Sequence, residues 1–310
     1  MLNGLLNRLS VAIAGFSLCI SLQVGRSVIA LAQLSILILT SWANLTPEIV
    51  GQERAPSCLG VAHASIFCLD PSDDKLVARL SAGLALALVL SGFVPAVSGI
   101  LHAWVSFSLS TSIGLPDGGD SAAAVATILI AFMTLSDRRW NAWRKGPSGT
   151  SLTVLDGIAW GAWWMLRLQM AFIYIESGLS KFGTEQWVNG SALYYVVRDP
   201  SFGSSGIAGD MARAIAGVPL GTASLTWGTI ALEVAVGVLL LGRPRSRRIT
   251  LVLVVALHVG IIIFIGLWSF AVTMMGAVLV AAAPSVRRSR HPRRLLSWPR
   301  NRTRKVCLSS

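Results

Sequence analysis

Long apolar segments constrain the fold of this chain more than any other feature of its sequence. Eight runs approach or reach the length that a helix needs to cross the hydrocarbon core of a bilayer. They are Ser27–Asn44, Leu76–Val94, Ala96–Ser112, Ala122–Ser136, Thr153–Leu179, Thr222–Gly242, Ile249–Ile265 and Leu267–Ala283. Charged residues make up 13% of the chain, about half their share in soluble domains. The sequence therefore predicts an all-α, polytopic integral membrane protein with about eight transmembrane helices.

Basic residues are concentrated in alternate connections between these runs. The basic connections lie near Arg8 and Arg26, at 137–145, at 243–248 and in the C-terminal tail. The connections poor in Lys and Arg are 46–75, 114–120 and 183–220. Because cytoplasmic loops are enriched in Lys and Arg, eight spans with both termini in the cytoplasm place every basic cluster inside. This count requires Pro95 to lie in the turn of a helical hairpin, since a kink in one long helix would break the alternation.

The expected boundaries follow from this topology. Residues 1–285 form one transmembrane domain, with an interfacial helix at 1–20 and an outer loop at 45–76. The tail at 286–310 holds nine Arg and Lys residues and no acid. Such a tail could bind nucleic acid, but after a last apolar span it is more typical of a cytoplasmic end beside anionic lipid. We therefore expect the lipid bilayer as a partner and no nucleic acid.

Two of the four cysteines, Cys58 and Cys68, lie in one polar loop with nine residues between them. If this loop is outside the cell, a disulfide is favoured, since closing a loop of this length costs little entropy. The alternative is a pair of small unpaired side chains. His63 lies between the cysteines but lacks a fourth ligand beside it, so we expect no metal site.

The fifth apolar run carries a row of side chains that ends on Lys181. Trp160, Arg167, Tyr174 and Lys181 recur every seven residues, which is almost two helical turns, so they form one slowly drifting stripe. The helix between Trp160 and Lys181 spans roughly 31 Å, about one hydrocarbon core. Charged residues inside lipid are expensive, and are by default candidates for a functional site.

The expected topology brings three polar clusters to the outer side: Lys181, the turn Asp117-Gly118-Gly119-Asp120, and the segment 184–190. A lysine in a partly dry pocket acts as a base when neutral, and as a fixed cation when it is paired with a carboxylate. We therefore take Lys181, Asp117 and Asp120 as candidate catalytic residues. The alternative is ordinary loop chemistry, in which the Asp-Gly-Gly-Asp turn is structural and Lys181 reaches the lipid headgroups.

Candidate substrate contacts lie on both sides of Lys181 along the chain. Arg167 and Tyr174 precede it on the stripe, and Glu185 and Trp187 follow it directly. In the substrate-binding interpretation, Trp187 forms a wall of the pocket.

Three more ionisable residues, Glu176, Glu233 and His258, lie within apolar runs. Unpaired charges there are costly, so we expect the acids to accept hydrogen bonds from Arg167 and protonated His258. We favour a structural Glu233–His258 pair between helices over a proton or ligand path. The chain carries no Walker loop, dinucleotide fingerprint, His-Glu-x-x-His or Gly-x-Ser-x-Gly motif, which disfavours ATP-driven and zinc-protease functions.

Several sequence blocks resemble a known family. Tyr174-x-x-x-Gly178-Leu179-Ser180-Lys181-Phe182, followed by Trp187-x-x-Gly190, resembles the core motif of the HTTM domain, the membrane domain shared with vitamin K-dependent gamma-carboxylase. Other blocks resemble the narrower SdpB branch of that family. They are His102–Ser108, Asp117–Asp120, Asp137-Arg138-Arg139-x-x-x-Trp143, and Cys58 with Ser65–Leu69.

The resemblance implies a multi-pass protein of the bacterial cell membrane. SdpB-like proteins act with a small SdpA-like partner to mature a secreted peptide precursor into a toxin. In the carboxylase branch, the lysine that matches Lys181 deprotonates a reduced quinone, so the resemblance implies a quinone cofactor. This chain departs from that branch, because its block Gly118-Gly119-Asp120 lacks the assisting His, and no region matches the carboxylase's large lumenal domain.

These observations leave three hypotheses for the function. The first is an SdpB-like factor for toxin maturation with an outward-facing site around Lys181, which would act as base or cation. The second is a carboxylase-like membrane enzyme that uses a reduced quinone. The third is a non-enzymatic scaffold or immunity protein that binds the toxin.

Overall fold

The computed structural model describes residues 13, 20–48, 51, 55–144, 153–200 and 203–283. Almost all of the expected interfacial helix at 1–20, and all of the basic tail at 286–310, lie outside these residues. Within the described parts the backbone consists of helices and their connecting loops, with one isolated β-bridge between Phe93 and Asn141.

Nine helices of eleven residues or more occur in the described residues. They are α1 (Ile20–Leu39), α2 (Leu76–Ser91), α3 (Pro95–Ser112), α4 (Gly118–Thr134), α5 (Val154–Ser180), α6 (Gly206–Ala216), α7 (Pro219–Leu240), α8 (Pro244–Ile265) and α9 (Trp268–Ala282). Each of the eight apolar runs overlaps one of them, and α6 lies in the stretch that we expected to be an outer connection.

Three of these helices, α1, α7 and α8, are long and apolar enough to cross a membrane. Helices α2, α4 and α9 are apolar but shorter, at 15 to 17 residues. Apolar helices of this kind support the assignment to a membrane, whereas the number of crossings and the location of the termini stay predictions.

The turn around Pro95 is a helical hairpin, as expected. Helix α2 ends at Ser91 and is capped by Gly92, whose φ of 73° is the left-handed conformation that glycine adopts without strain. Pro95 occupies the first turn of α3, where its missing N–H is not needed. The Trp143 indole N–H donates to Leu90 O at 3.0 Å and covers the turn.

The described helices enclose three buried apolar clusters, of which two are large. One joins α1, α2 and α3 beneath the loop that follows α1. In that loop Cys58 and Cys68 form a disulfide, and the adjacent Phe67 stacks on Trp42 at 4.8 Å between ring centroids. The second cluster joins the other long helices, α4, α5, α7, α8 and α9, to α1.

Helix α5 ends beside the middle of α7 rather than beside its start. Gly178 of α5 lies against Ile230 and Val234, whereas α7 begins at Pro219. The chain after Ser180 therefore follows α7 toward its start: Leu193 N donates to Thr226 Oγ1 at 3.2 Å. This segment and α6 cover the ends of α7 and α8, and they position the site described next.

Candidate functional site

Lys181 forms a largely buried ion pair with Glu233 of α7. Its Nζ lies 2.6 Å from Glu233 Oε2, and the two side chains are 16% and 11% exposed. Nζ also donates to Ser177 O at 2.9 Å and approaches Ser177 Oγ at 3.1 Å. Ser177 Oγ in turn donates to Glu233 Oε1 at 3.2 Å. Both carboxylate oxygens and the ammonium group therefore have partners within a three-residue cluster.

Close contact between two helices makes this cluster possible. A Cβ on Gly178 would lie 2.8 Å from a Val234 side-chain atom, so only glycine lets α5 approach α7 this closely. Gly237, further along α7, meets Ala171 O in the same way, at 2.7 Å from its would-be Cβ. Ser177 and Lys181 are four residues apart, so both lie on the face of α5 that is directed at Glu233.

Trp187 joins the site from the short helix Glu185–Val188. Lys181 Nζ lies 5.0 Å from the centre of its ring, within the range of a cation–π contact. Trp187, which we expected to form a wall of the pocket, therefore lies beside Lys181.

A cavity of about 400 Å³ opens beside the pair. Lys181, Glu233 and Trp187 border it, and its walls are otherwise mainly apolar residues of α7, α8, α6 and the helix Ala192–Val196. Gly228 of α7 and Gly260 of α8 line it, and nothing lies within 4 Å of the position that a Cβ would take on either residue. An ion pair at the edge of an apolar cavity can hold the polar end of a ligand or exchange a proton with it.

The structure does not bring the other residues of the heptad stripe to this cavity. Arg167 donates from Nε to Ala281 O at 3.1 Å, and its guanidinium lies 3.6 Å from the centre of the Trp163 ring. Tyr174 is buried against His258. Glu176 and Glu185 are both exposed. We expected Glu176 and Glu233 to be the partners of Arg167. Arg167 instead contacts a backbone carbonyl and an aromatic ring.

The expected Glu233–His258 pair is wrong. His258 Nδ1–H donates to Val254 O at 3.0 Å, which leaves Nε2 to accept from the Tyr174 hydroxyl at 3.4 Å. Glu233 instead accepts from Lys181. Helical phase places Glu233 and His258 toward the protein interior, but it does not tell which neighbouring helix each one meets.

Asp117 and Asp120 form a reciprocal cap at the start of α4. Asp117 accepts from the Gly119 and Asp120 amides at 2.7 and 3.0 Å, and Asp120 accepts from the Asp117 amide at 3.1 Å. Burial, and next the neighbouring Asp117 charge, raise the pKa of Asp120 to about 6. Neither residue borders the cavity, and their contacts account for a helix cap. A catalytic role for them stays a prediction.

Two parts of the site, Ser177 and helix α6, were not expected, although the sequence holds a signal for each. The signal at Ser177 is its position, because a hydroxyl four residues before a terminal lysine can bond to its ammonium group. Helix α6 also gave one: Ile207, Met211 and Ile215 recur every four residues, the spacing of an amphipathic helix. No group of three or more metal-binding side chains occurs among the described residues.

Two proteins of Bacillus subtilis (strain 168) are similar to this chain. The uncharacterised protein YitO is 30% identical over 262 residues, which are 84% of each chain. Sporulation-delaying protein SdpB is 27% identical over 234 residues, which are 74% of this chain and 71% of SdpB. No protein-family model and no solved structure matches the chain. The chain therefore belongs to the family of YitO and is homologous to the sporulation-delaying protein SdpB.

Proposed function

We propose that this chain is a multi-pass membrane protein required for the maturation of a secreted peptide toxin, with the Lys181–Glu233 pair as its site. The homology to SdpB supports the toxin pathway. The proposal also includes an HTTM-like motif around Lys181, an outward-facing location of the site, and an SdpA-like partner.

One observation carries the assignment of the site. The Lys181–Glu233 pair is largely buried, joins the end of α5 to α7, and borders a cavity. A pair that served only to hold helices together would have no need of adjoining empty volume, because interiors are otherwise close-packed. The cavity gives a ligand access to two ionisable groups in surroundings of low polarity, where charge–charge interactions are strong.

The two groups also suggest a division of roles. Glu233 orients the ammonium group of Lys181 through a charge-assisted hydrogen bond, and Ser177 bonds to both side chains. Lys181 is the candidate base or cation that acts on the substrate, Glu233 positions it, and Trp187 limits access to it.

The test compares the secreted peptide from cells with wild-type protein and with variants. The cells lack their own copy of the gene and express the toxin precursor and its small membrane partner. Lys181→Ala and Glu233→Gln are expected to lower the yield of mature peptide, measured by mass spectrometry, by about tenfold or more. Glu176→Gln is the matched control, because Glu176 lies on the same helix as Lys181 but is exposed.

Two results would contradict this proposal. Full maturation by Lys181→Ala at equal membrane levels would remove Lys181 from the site. A secreted peptide of unchanged mass and amount without this protein would favour the scaffold or immunity function, in which the chain binds the toxin without maturing it.

A further inference from the structure

We propose that Arg167 and Arg247 form a binding site for a phosphate group, that of an anionic phospholipid in the leaflet that adjoins the start of α8. This site lies apart from Lys181, which follows Arg167 by 14 residues, roughly 21 Å of helix. The inference concerns how the protein holds lipid at one end of its helices, and its test does not involve toxin maturation.

The two guanidinium groups lie against one tryptophan ring. Their central carbons are 3.6 Å (Arg167) and 5.8 Å (Arg247) from the centre of the Trp163 ring. Both arginines are buried, at 2% and 6% exposed. Arg167 Nε donates to Ala281 O at 3.1 Å, and Arg247 Nη1 donates to Ala283 O at 3.2 Å. Two buried cations therefore meet at the C-terminal end of α9.

These contacts leave part of each guanidinium group without a partner. Arg167 Nη2 and Arg247 Nε are buried and form no hydrogen bond. No ion pair within the described part of the chain includes either arginine. The adjoining stretches that the structure does not describe, 145–152 and 284–310, contain no Asp or Glu. Because arginine stays charged inside proteins, the cluster holds two positive charges and unused donors.

The end of α9 offsets only part of this charge. Aligned peptide dipoles give the C-terminus of a helix about half of one negative elementary charge. An aromatic ring attracts a cation through its quadrupole but carries no net charge. If Arg167 and Arg247 served only to cap α9, more than one positive charge would remain buried without a counterion, which is costly. The arrangement therefore favours the binding of an anion.

A phosphate group of a lipid suits both the donors and their depth. Guanidinium groups bind phosphate oxygens through paired N–H groups, a geometry that lysine does not offer. Arg247 lies in the first turn of α8, a helix that is long and apolar enough to cross a membrane. Lipid phosphates lie level with the ends of such helices. Trp160 and Trp164 lie beside the cluster on α5, as is usual for tryptophans at the headgroup level.

The start of α8 attracts anionic lipid and gives it a path to the cluster. Three further arginines around Arg247 are exposed: Arg243, Arg245 and Arg248. Basic clusters at the end of a membrane-spanning helix bind anionic lipid. The hydrogen bond from Arg247 to Ala283 is only partly buried, and Ala283 itself is half-buried. The cluster is therefore reached from the end of α9.

The test measures how lipid changes the thermal unfolding midpoint of the purified full-length protein, delipidated in a neutral detergent. Dioleoylphosphatidylglycerol, at about 100 times its apparent Kd, should raise the midpoint by about 5 °C. Dioleoylglycerol has the same acyl chains without the phosphate, and inorganic phosphate has no acyl chain. Each of these should change the midpoint by less than about 1 °C.

Variants then locate the effect. Arg167→Gln and Arg247→Gln should each raise the apparent Kd for dioleoylphosphatidylglycerol about tenfold or more, because each removes a guanidinium group that binds the phosphate. Arg245→Gln is the matched control: it removes the same charge from the same turn of α8, but Arg245 is exposed, so the Kd should change less than about threefold. Without lipid, Arg247→Gln should unfold no earlier than the wild type, since it removes the repulsion between two like charges.

The two lipid controls can each overturn the inference. Equal protection by dioleoylglycerol would show that the phosphate group is not recognised. Equal protection by inorganic phosphate would show that the site takes a soluble anion and not a lipid.

The variants can overturn it as well. An unchanged Kd in Arg247→Gln would remove the cluster from lipid binding, and this variant decides the matter alone if Arg167→Gln does not fold. An equal rise in Arg245→Gln would mean general attraction of lipid to a basic helix end. A midpoint that falls by the same amount with and without lipid in Arg247→Gln would mean that Arg247 serves only as a cap of α9.

Discussion

Two pairs of neighbouring helices, α1–α9 and α7–α8, both present glycines at their contact, with opposite results. A Cβ on Gly276 of α9 would lie 2.8 Å from Gly25 O and 3.0 Å from Ile29 N of α1, so the backbones touch. Gly228 of α7 and Gly260 of α8 have open space at the same position. Glycine thus serves close packing in one helix pair and lines an open cavity in the other.

Buried polar residues show the same contrast. Between α1 and α3, Gln33 donates to Ser106 at 2.8 Å and lies 3.1 Å from His102 Nε2, while Arg26 donates to Ser98. These groups fill the contact between the helices, whereas Lys181 and Glu233 border a cavity. A buried polar group alone therefore does not indicate a site, and our proposal of a site at Lys181 rests on the cavity beside the pair.

The largest expected effect is that of Gly276→Leu, which should abolish folding. The new side chain would meet backbone atoms of α1, which cannot move aside without separating the helices, and overpacking of this kind costs about 1–3 kcal/mol or more. The measurement is the monodisperse fraction after size-exclusion chromatography in detergent. Gly228→Leu, the same change at an open position, should keep this fraction near that of the wild type. An equal loss of the monodisperse fraction in both variants would show that the two glycine positions do not differ in how closely they are packed.

The next effect is that of Lys181→Met, which leaves the buried Glu233 carboxylate without its cation. An unpaired buried polar group costs about 1–3 kcal/mol, and more when it is charged. The thermal unfolding midpoint in detergent should therefore fall. Adding Glu233→Leu should recover most of the loss, because no unpaired charge then remains. A double variant that is less stable than Lys181→Met would show that the two residues do not act as a pair.

A smaller loss is expected for Gln33→Leu in the contact between α1 and α3. Ser106 and His102 would each lose a hydrogen bond, at about 1 kcal/mol each. Toxin maturation per folded protein should be unchanged, since none of these residues lines the cavity beside Lys181. Loss of maturation in a folded variant would give the polar contact a functional role and erase the distinction between the two regions.

The smallest effect concerns pH and the cap of α4. The pKa of Asp120 is raised from 3.8 to about 6, so the folded protein holds this proton more tightly than the unfolded chain. Its contribution to stability is therefore fully present below pH 3.8 and is lost as the pH rises through about 6. Asp120→Asn should remove this part of the pH dependence of the unfolding midpoint. An unchanged profile would show that Asp120 does not titrate in this range.

Much of the helical architecture could be predicted, because apolar runs and their breaks are local signals. Pro95 and Gly92 together specify the turn of the hairpin, and Lys181 is conspicuous as a charge at the end of an apolar helix. Trp187 could also be predicted as a site residue, because it lies close to Lys181 in the sequence.

The partner of Lys181 could not be predicted, because it depends on how helices pack. Glu233 lies 52 residues away along the chain, and it meets Lys181 only where Gly178 and Gly237 allow α5 and α7 to touch. Helical periodicity shows that Glu233 is directed inward but does not rank its neighbours. For this reason His258 was as reasonable a partner before the packing was known.

The separation of Lys181 from Glu233 also has a consequence for biosynthesis. The ribosome synthesises Lys181 before it reaches α7, so α5 is made while the lysine that follows it has no carboxylate partner. The ion pair, and the cavity beside it, can form only after α7 has been synthesised and the intervening segment with α6 has folded back. Completion of the ion pair is therefore a late event in folding.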